Sequence, residues 1–402
     1  MRFPAQVLPR TADLRVLAVA TLTRAVGHGV FFTVSVLYFA HAAGMSVRLV
    51  GIGMTIAAVA AMAVSVPAGH LADVLGPREV SSACFVLQGI VTCAYASMDG
   101  FVFFVAVAVL AALTESAGGA AFGALIAGIT EGAERVQARA YLRSVTNAGV
   151  AVGALVGGVI LSYDAPSVQA WGLVGCGVLF SVGGLVQMRL PAITGGSAQT
   201  RASPWAVFRD RRYALVGLLN VALVLNVGLL TIALPLWISE RTEAPNSLYA
   251  ALLVLNTLGV VLFQVRVSRR ATDADAAART SRLAGIALLA CCALFAWSAD
   301  APLGLAVALL VVGTAVHVLG ELLYSAGSWA LSYELAPEGA HGQYQGFFGM
   351  TSQLGSALTP VAATSIVIGF GAMGWLAFGL LMALAGAAVP SVVRGTRQPV
   401  AP

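Results

Sequence analysis

Five ionisable side chains lie in the middle of long apolar runs: Arg24, His28, Glu115, His317 and Glu321. Two pairs, 24/28 and 317/321, are spaced i, i+4 and so share a helix face. A charge in hydrocarbon costs about 2.5–3.5 kcal/mol even on the gentler scales, and such residues mark function. A glutamate removed from water without a partner favours its protonated form, and can load and release protons near neutrality. Alternatively Arg24 holds Glu115 ionised in a buried pair that ties two helices together. Glu321 is the favoured proton carrier of the two, because its only obvious neighbour is His317. The two histidines can also be hydrogen-bonding core residues. Asn220 and Asn226 add two amides in a further apolar run.

Other chemistries are excluded by what is missing. All 22 bases are arginines, so a Walker A lysine and Schiff-base or pyridoxal chemistry are absent. There is no H-E-x-x-H, and no Ser/His or paired-Asp constellation inside the apolar runs, so the chain does not read as an enzyme. The five cysteines fall inside apolar runs without a C-x-x-C pair, and read as small core residues. No metal or cofactor is expected.

The elements that must position these residues follow from composition. Of 402 residues, 59% are hydrophobic and only 10% charged. An ordinary globular domain carries about 25% charged residues, so a water-soluble globule is excluded. A span needs about 20 mostly apolar residues. Twelve such runs can be placed near 14–39, 49–70, 80–98, 101–129, 142–162, 168–190, 213–238, 248–267, 283–299, 303–329, 344–370 and 373–393. The first follows thirteen mixed residues and has no cleavage site behind it, so it reads as a retained span.

With both termini inside, nineteen arginines fall in inner segments, from Arg2 to Arg397. Only Arg48 and Arg241 fall outside, and Arg24 is within a span. The net charge of +5 therefore reports topology in a plasma (bacterial inner) membrane, not nucleic-acid binding. Trp171, Trp237, Trp297 and Trp375 fall at outer span ends and Trp329 at an inner one, as aromatic belts require. The chain divides into a six-helix half, 1–190, a cytoplasmic linker, 191–212, and a second six-helix half, 213–402. In the linker, Ser203-Pro204 starts a short helix whose Trp205 and Phe208 face the inner leaflet. A disordered basic linker is the alternative. An offset of 206 relates Glu115 to Glu321, Gly149 to Gly355 and Ala154 to Pro360, which suits two halves of one repeat.

Between spans 2 and 3 the chain reads Gly69-His70-Leu71-Ala72-Asp73-Val74-Leu75-Gly76-Pro77-Arg78. Gly69 permits close helix packing and Gly76 a tight turn. Asp73 and Arg78 can cap helix ends or pair across the halves. This segment resembles the loop signature of the major facilitator superfamily. The resemblance implies twelve transmembrane helices in two pseudo-symmetric halves, with spans 1, 4, 7 and 10 lining a central cavity. It makes Gly69, Asp73, Gly76 and Arg78 a gating loop that latches one transport state. Span 5 carries Gly149, Gly153, Gly157 and Gly158, a small-residue face for helix packing. It resembles the antiporter motif of drug/proton exporters, with Ala154 where that motif has proline. Span 4 departs further: Thr114 stands where the family has arginine, four residues before Gly118. Leu319 to Leu323, then Leu335 to Glu338 and Gly342 to Gly346, resemble the tenth helix and the loop after it in the same branch.

On this resemblance the ionisable residues concentrate on cavity spans, with Arg24, His28, Glu115, Asn220, Asn226, His317 and Glu321 around the substrate. Glu321, Glu115 and Arg24 would couple protons. The expectation is a monomeric secondary transporter that exports small amphiphilic molecules by proton antiport. A nutrient importer, or a non-transporting receptor on the same fold, is the alternative.

Overall fold

The computed structural model describes residues 11–39, 45–163, 165–193, 203 and 205–394. Arg2, Arg10, His41, Arg201, Pro204 and Arg397, and linker residues 194–202, lie outside the described residues. Among those described there is no strand. Helices α1 (Ala12–Leu37), α2 (Val47–Leu75), α3 (Pro77–Cys93), α4 (Gly100–Ile129), α5 (Ala133–Leu161) and α6 (Pro166–Gln187) are followed by α7 (Arg211–Val224), α8 (Asn226–Gly228) and α9 (Leu234–Arg241). Then come α10 (Leu248–Ser268), α11 (Ala274–Trp297), α12 (Leu303–Glu334), α13 (His341–Ala362) and α14 (Gly369–Arg394). Eleven helical segments among the described residues are long and apolar enough to span a membrane, Arg211–Arg241 counting as one.

The starts are set locally. Thr11, Ser46, Asp210 and Asp273 each cap a helix by accepting from the backbone N–H three residues on, and Pro77 and Pro166 occupy first-turn positions. Span 7 is broken: α7 ends at Val224, and a π-helical stretch, Leu229–Ala233, joins α8 to α9. Expected span 11 is also interrupted, by a π stretch at Ala363–Ile368, and it is the one expected run not among the eleven. Its first turns are polar and glycine-rich (Gly342, Gln343, Gln345, Gly346). The chain turns into α14 at Gly371, with φ 60. Among its described residues the linker holds one 3-10 turn, Ala206–Arg209, where a short amphipathic helix is expected. Asp210 already caps α7, which leaves no room for a second turn.

The described residues form two compact units. The first draws on Met1–Glu131, Tyr141–Ala206 and Ala336–Met350; the second on Gly132–Ala140, Val207–Leu335 and Thr351–Pro402. Each unit thus includes the first turns of a helix, α13 or α5, whose remainder belongs to the other. In the first unit α1 packs on α6, α2 on α4, and α3 on both α4 and α6. Phe39 anchors the core, 5.0 Å from the ring centroids of Tyr95 and of Phe104. In the second unit α11 packs against α12 and α14, and α10 against α12.

Two tryptophans depart from the expected interfacial role. Trp171 and Trp297 are exposed, but Trp237 and Trp375 are fully buried and meet edge-to-face at 5.8 Å. The Trp237 indole N–H is satisfied inside the protein by the Phe295 carbonyl and the Ser298 hydroxyl, both at 3.0 Å. Both stand at helix ends yet point inward.

Glycines set how closely α5 approaches α1. A Cβ on Gly149 would come 2.6 Å from the Ala25 Cβ, one on Gly153 would strike the Val26 carbonyl, and one on Gly157 would come 2.7 Å from the Thr33 Cβ. Gly158 is different: a Cβ there meets nothing within 4 Å. It lies about 100° round the helix from Gly157, so the packing face is Gly149, Gly153 and Gly157 without Gly158. Gly153→Leu is expected to cost about 3 kcal/mol or more by overpacking, and Gly158→Leu less than about 0.5. Thermal melts of the two purified variants test this; equal melting temperatures would refute the assigned face.

Candidate functional site

In the first unit α1 and α4 bring His28 and Glu115 together, with His28 Nε2 3.7 Å from Glu115 Oε1. The Glu115 side chain is 52% exposed and that of His28 17%, so the carboxylate is the accessible member. The imidazole is wedged among aromatic rings, 4.6 Å from Phe180 and 5.9 Å from Phe32. A cavity of about 160 Å³ opens beside the pair, walled by Phe31, Phe180 and Tyr95 and including Gln88. Gln88 is buried, and its side-chain oxygen has no hydrogen-bond partner.

Arg24 is not ion-paired to Glu115. Its guanidinium lies over the Phe85 ring, 3.1 Å from the centroid, a cation–π contact. Phe85 in turn sits where a Cβ on Gly118 would be, so α1, α3 and α4 meet through Arg24, Phe85 and Gly118. Thr114, one turn before Gly118, gives its hydroxyl to the carbonyls of Leu110 and Ala111 in its own helix.

The second unit holds the other carboxylate. Glu321 on α12 accepts a hydrogen bond from Asn256 on α10 at 2.9 Å, and lies 4.0 Å from His317 Nδ1. The expectation that His317 is its only neighbour is therefore corrected: an amide one helix away holds it. His317 is buried, and its Nε2 is 3.0 Å from the Asn226 carbonyl. A carbonyl only accepts, so Nε2 carries a hydrogen and, in the neutral ring, Nδ1 presents its lone pair towards Glu321. Two acceptors then face each other across a gap that one proton would close.

The two asparagines are buried. Asn220 accepts from the Tyr324 hydroxyl at 3.1 Å and donates to Ser352 at 3.0 Å, tying α7 to α12 and α13. Asn226 donates to the Leu223 carbonyl at 2.6 Å, at the break between α7 and α8. Its main chain, not its amide, meets His317. Asn256, Gln88 and Tyr95 are polar groups at these sites that the sequence reading did not single out. Asn256 and Gln88 are lone amides in apolar runs, the same signal that marked the glutamates.

The segment from Gly69 to Arg78 is built around one helix start. The Asp73 carboxylate accepts from the backbone N–H of Gly342 at 2.6 Å and of Gln343 at 2.8 Å, capping the first turn of α13. Gly69 packs directly on Gly342, where a Cβ would strike the carbonyl. One turn earlier, the Ser65 hydroxyl donates to the Gly346 carbonyl at 2.7 Å. Gly76 takes φ 104, a left-handed conformation that glycine adopts without steric cost, and ends α2. Arg78 pairs with Glu79 and donates to the Leu190 carbonyl at 2.6 Å, fixing the start of α3 to the turn that follows α6.

The model of the Major Facilitator Superfamily matches residues 17–360. The chain belongs to this superfamily. Its solved relatives in fold include a bacterial homologue of the iron transporter ferroportin in an outward-facing state (TM-score 0.74, 14% identity, 95% of this chain and 98% of that one). The E. coli fucose:proton symporter matches with TM-score 0.74 and 13% identity over 96% and 98%. A human organic anion transporter, TETRAN, matches with TM-score 0.69 and 16% identity over 95% and 100%. At these identities the likeness is one of fold. No curated relative matches the chain by sequence. Major facilitators are multi-pass membrane transporters of small molecules, not enzymes, and this chain is one of them.

The cap on α13 can be tested directly. Asp73→Ala removes both acceptors, and a lost charged cap costs about 1–2 kcal/mol. The amides of Gly342 and Gln343 are expected to exchange with deuterium on the order of tenfold faster. Unchanged exchange would mean that Asp73 does not hold this helix start.

Proposed function

We propose that this transporter exports small amphiphilic molecules in exchange for protons, by alternating access. The observation that supports this most is that each unit carries one glutamate beside one histidine at membrane depth: Glu115 with His28, and Glu321 with His317. Each pair has room for one exchangeable proton, shared between a carboxylate oxygen and an imidazole nitrogen. In this reading a proton arriving from outside favours one state and substrate favours the other. Arg24 fixes the local charge and does not exchange it. The aromatic walls beside Glu115 suit an amphiphile, and a carboxylate opening on that cavity favours neutral or cationic substrates. Asp73 would steady the transporter in one state through α13, with Gly69, Gly76 and Arg78 shaping the same loop. The arginine distribution supports cytoplasmic termini in a plasma membrane, and in this reading the transporter acts as a monomer.

Import of a nutrient such as a sugar, with protons moving alongside, is the second reading. It is favoured by the fold likeness to a fucose:proton symporter. Direction separates the two. In proteoliposomes, the antiport reading expects an opposed proton gradient to drive uphill movement of a cationic dye. Collapse of the gradient without change in transport would sink proton coupling. Glu115→Gln and Glu321→Gln are each expected to lower gradient-driven flux by about tenfold or more. Substrate exchange without a gradient should survive in at least one of them. Full gradient-driven flux in both variants would remove these glutamates from the mechanism.

A further inference from the structure

We propose that the groove between α10 and α12 in the second unit is a binding site for one anionic phospholipid. An acyl chain lies along Leu255, Gly259 and Phe263, and the phosphate lies at Arg266 and Arg270. The groove encloses about 480 Å³. Its α10 wall is a single stripe: Leu255, Gly259 and Phe263 recur every fourth residue, Arg266 continues the same face, and Arg270 joins it from the turn just after the helix. Val318, Leu319 and Leu322 of α12 form the opposite wall. Gly259 makes the floor, since a Cβ there would come 2.7 Å from Val318 Cγ1. Phe263 and Leu319 are largely exposed, so both walls are open to an occupant.

The site is graded from hydrocarbon to charge over a length that matters. Eleven residues separate Leu255 from Arg266, about 17 Å of helix. One leaflet contributes about 15 Å of the bilayer's hydrocarbon core. A lipid chain anchored at the arginines would therefore run the length of the trough.

Charge supplies the second argument. Neither the Arg266 nor the Arg270 guanidinium makes a hydrogen bond or an ion pair among the described residues. Asp273, the next acid along the chain, is engaged at the start of α11, where it accepts from the Ala276 N–H at 2.8 Å. Two guanidiniums without a protein anion match the doubly accepting geometry of a phosphodiester. A free phosphate would leave the apolar trough uncovered, and a neutral lipid would leave the arginines unanswered. No carboxylate or imidazole of the two pairs lines the groove, and the proposal stands whichever substrate is transported.

Native mass spectrometry of the delipidated, full-length protein tests the assignment. Phosphatidylglycerol and phosphatidylcholine are offered in equal amounts. Phosphatidylglycerol adducts are expected to exceed phosphatidylcholine adducts on the order of tenfold. In R266Q/R270Q that excess should fall to near one, while Arg189→Gln keeps it. Leu319→Trp leaves both arginines in place but fills the trough, and should also lose the excess. An excess that survives in either R266Q/R270Q or Leu319→Trp would overturn the proposal. If the double variant does not fold, Leu319→Trp alone decides. Inorganic phosphate raising the melting temperature as much as phosphatidylglycerol would equally overturn it, since it would show a site for a bare anion.

Discussion

The constraint on which the structure depends is that hydrocarbon solvates no charge and no unpaired backbone group. Helices meet the second demand by themselves. The first leaves each intramembrane ion to find its partner in the protein. Arg24 finds an aromatic face, Glu115 an imidazole, and Glu321 an amide with an imidazole nearby. None of these is a tight arginine–carboxylate pair. A bidentate salt bridge would hold a glutamate ionised and leave no use for a proton. Histidine and asparagine meet a carboxylate without the fixed positive charge that an arginine would bring.

Close contact between helices is the second consequence of the same solvent. Lipid gives apolar side chains no reason to prefer protein over membrane, so packing must come from backbone approach. Gly149, Gly153 and Gly157 bring α5 onto α1, and α1 is the helix that carries Arg24 and His28. Gly183 on α6 leaves the space that the Arg24 side chain fills. The small residues thus determine where the charged ones stand. Gly69 and Gly342 do the same at the Asp73 cap, where the carboxylate can reach two amides only because the helices touch.

Much of this was legible in the sequence because charge is scarce in it. In a chain with 10% charged residues, a glutamate inside an apolar run stands out, and its helix follows from run length alone. Partners were harder. The Asp73 contact joins residues 270 apart, and no local pattern around Asp73 names Gln343 as its mate. Asn256 sits in a Leu/Val run where a neutral amide costs less than a charge and draws less notice. Trp237 and Trp375 show a different limit. The interfacial rule gives the depth of a tryptophan along a helix, but not the direction it faces, and both face inward. Gly157 and Gly158 fail in the same way, because adjacent glycines on one helix cannot both meet one neighbour.

In the proposed mechanism the charge of each carboxylate–imidazole pair bears on direction as well as on coupling. With its glutamate ionised and its histidine neutral, a pair carries −1. One added proton would make that pair neutral. A cationic substrate and a proton would then compete for the same negative charge, and occupancy by one would release the other, which is the logic of exchange. A neutral substrate behaves differently. It gains from a site already neutralised by a proton, because its hydroxyls then meet a protonated carboxyl that can both donate and accept. That favours joint occupancy and co-transport. The same residues thus support exchange or co-transport according to the charge of the substrate. The accessible carboxylate, Glu115 in its aromatic cavity, is the one a substrate can touch, while Glu321 is held by Asn256. A cationic substrate drawn over Phe31 and Phe180 would meet that carboxylate directly, which is the physical ground for the exchange reading proposed above.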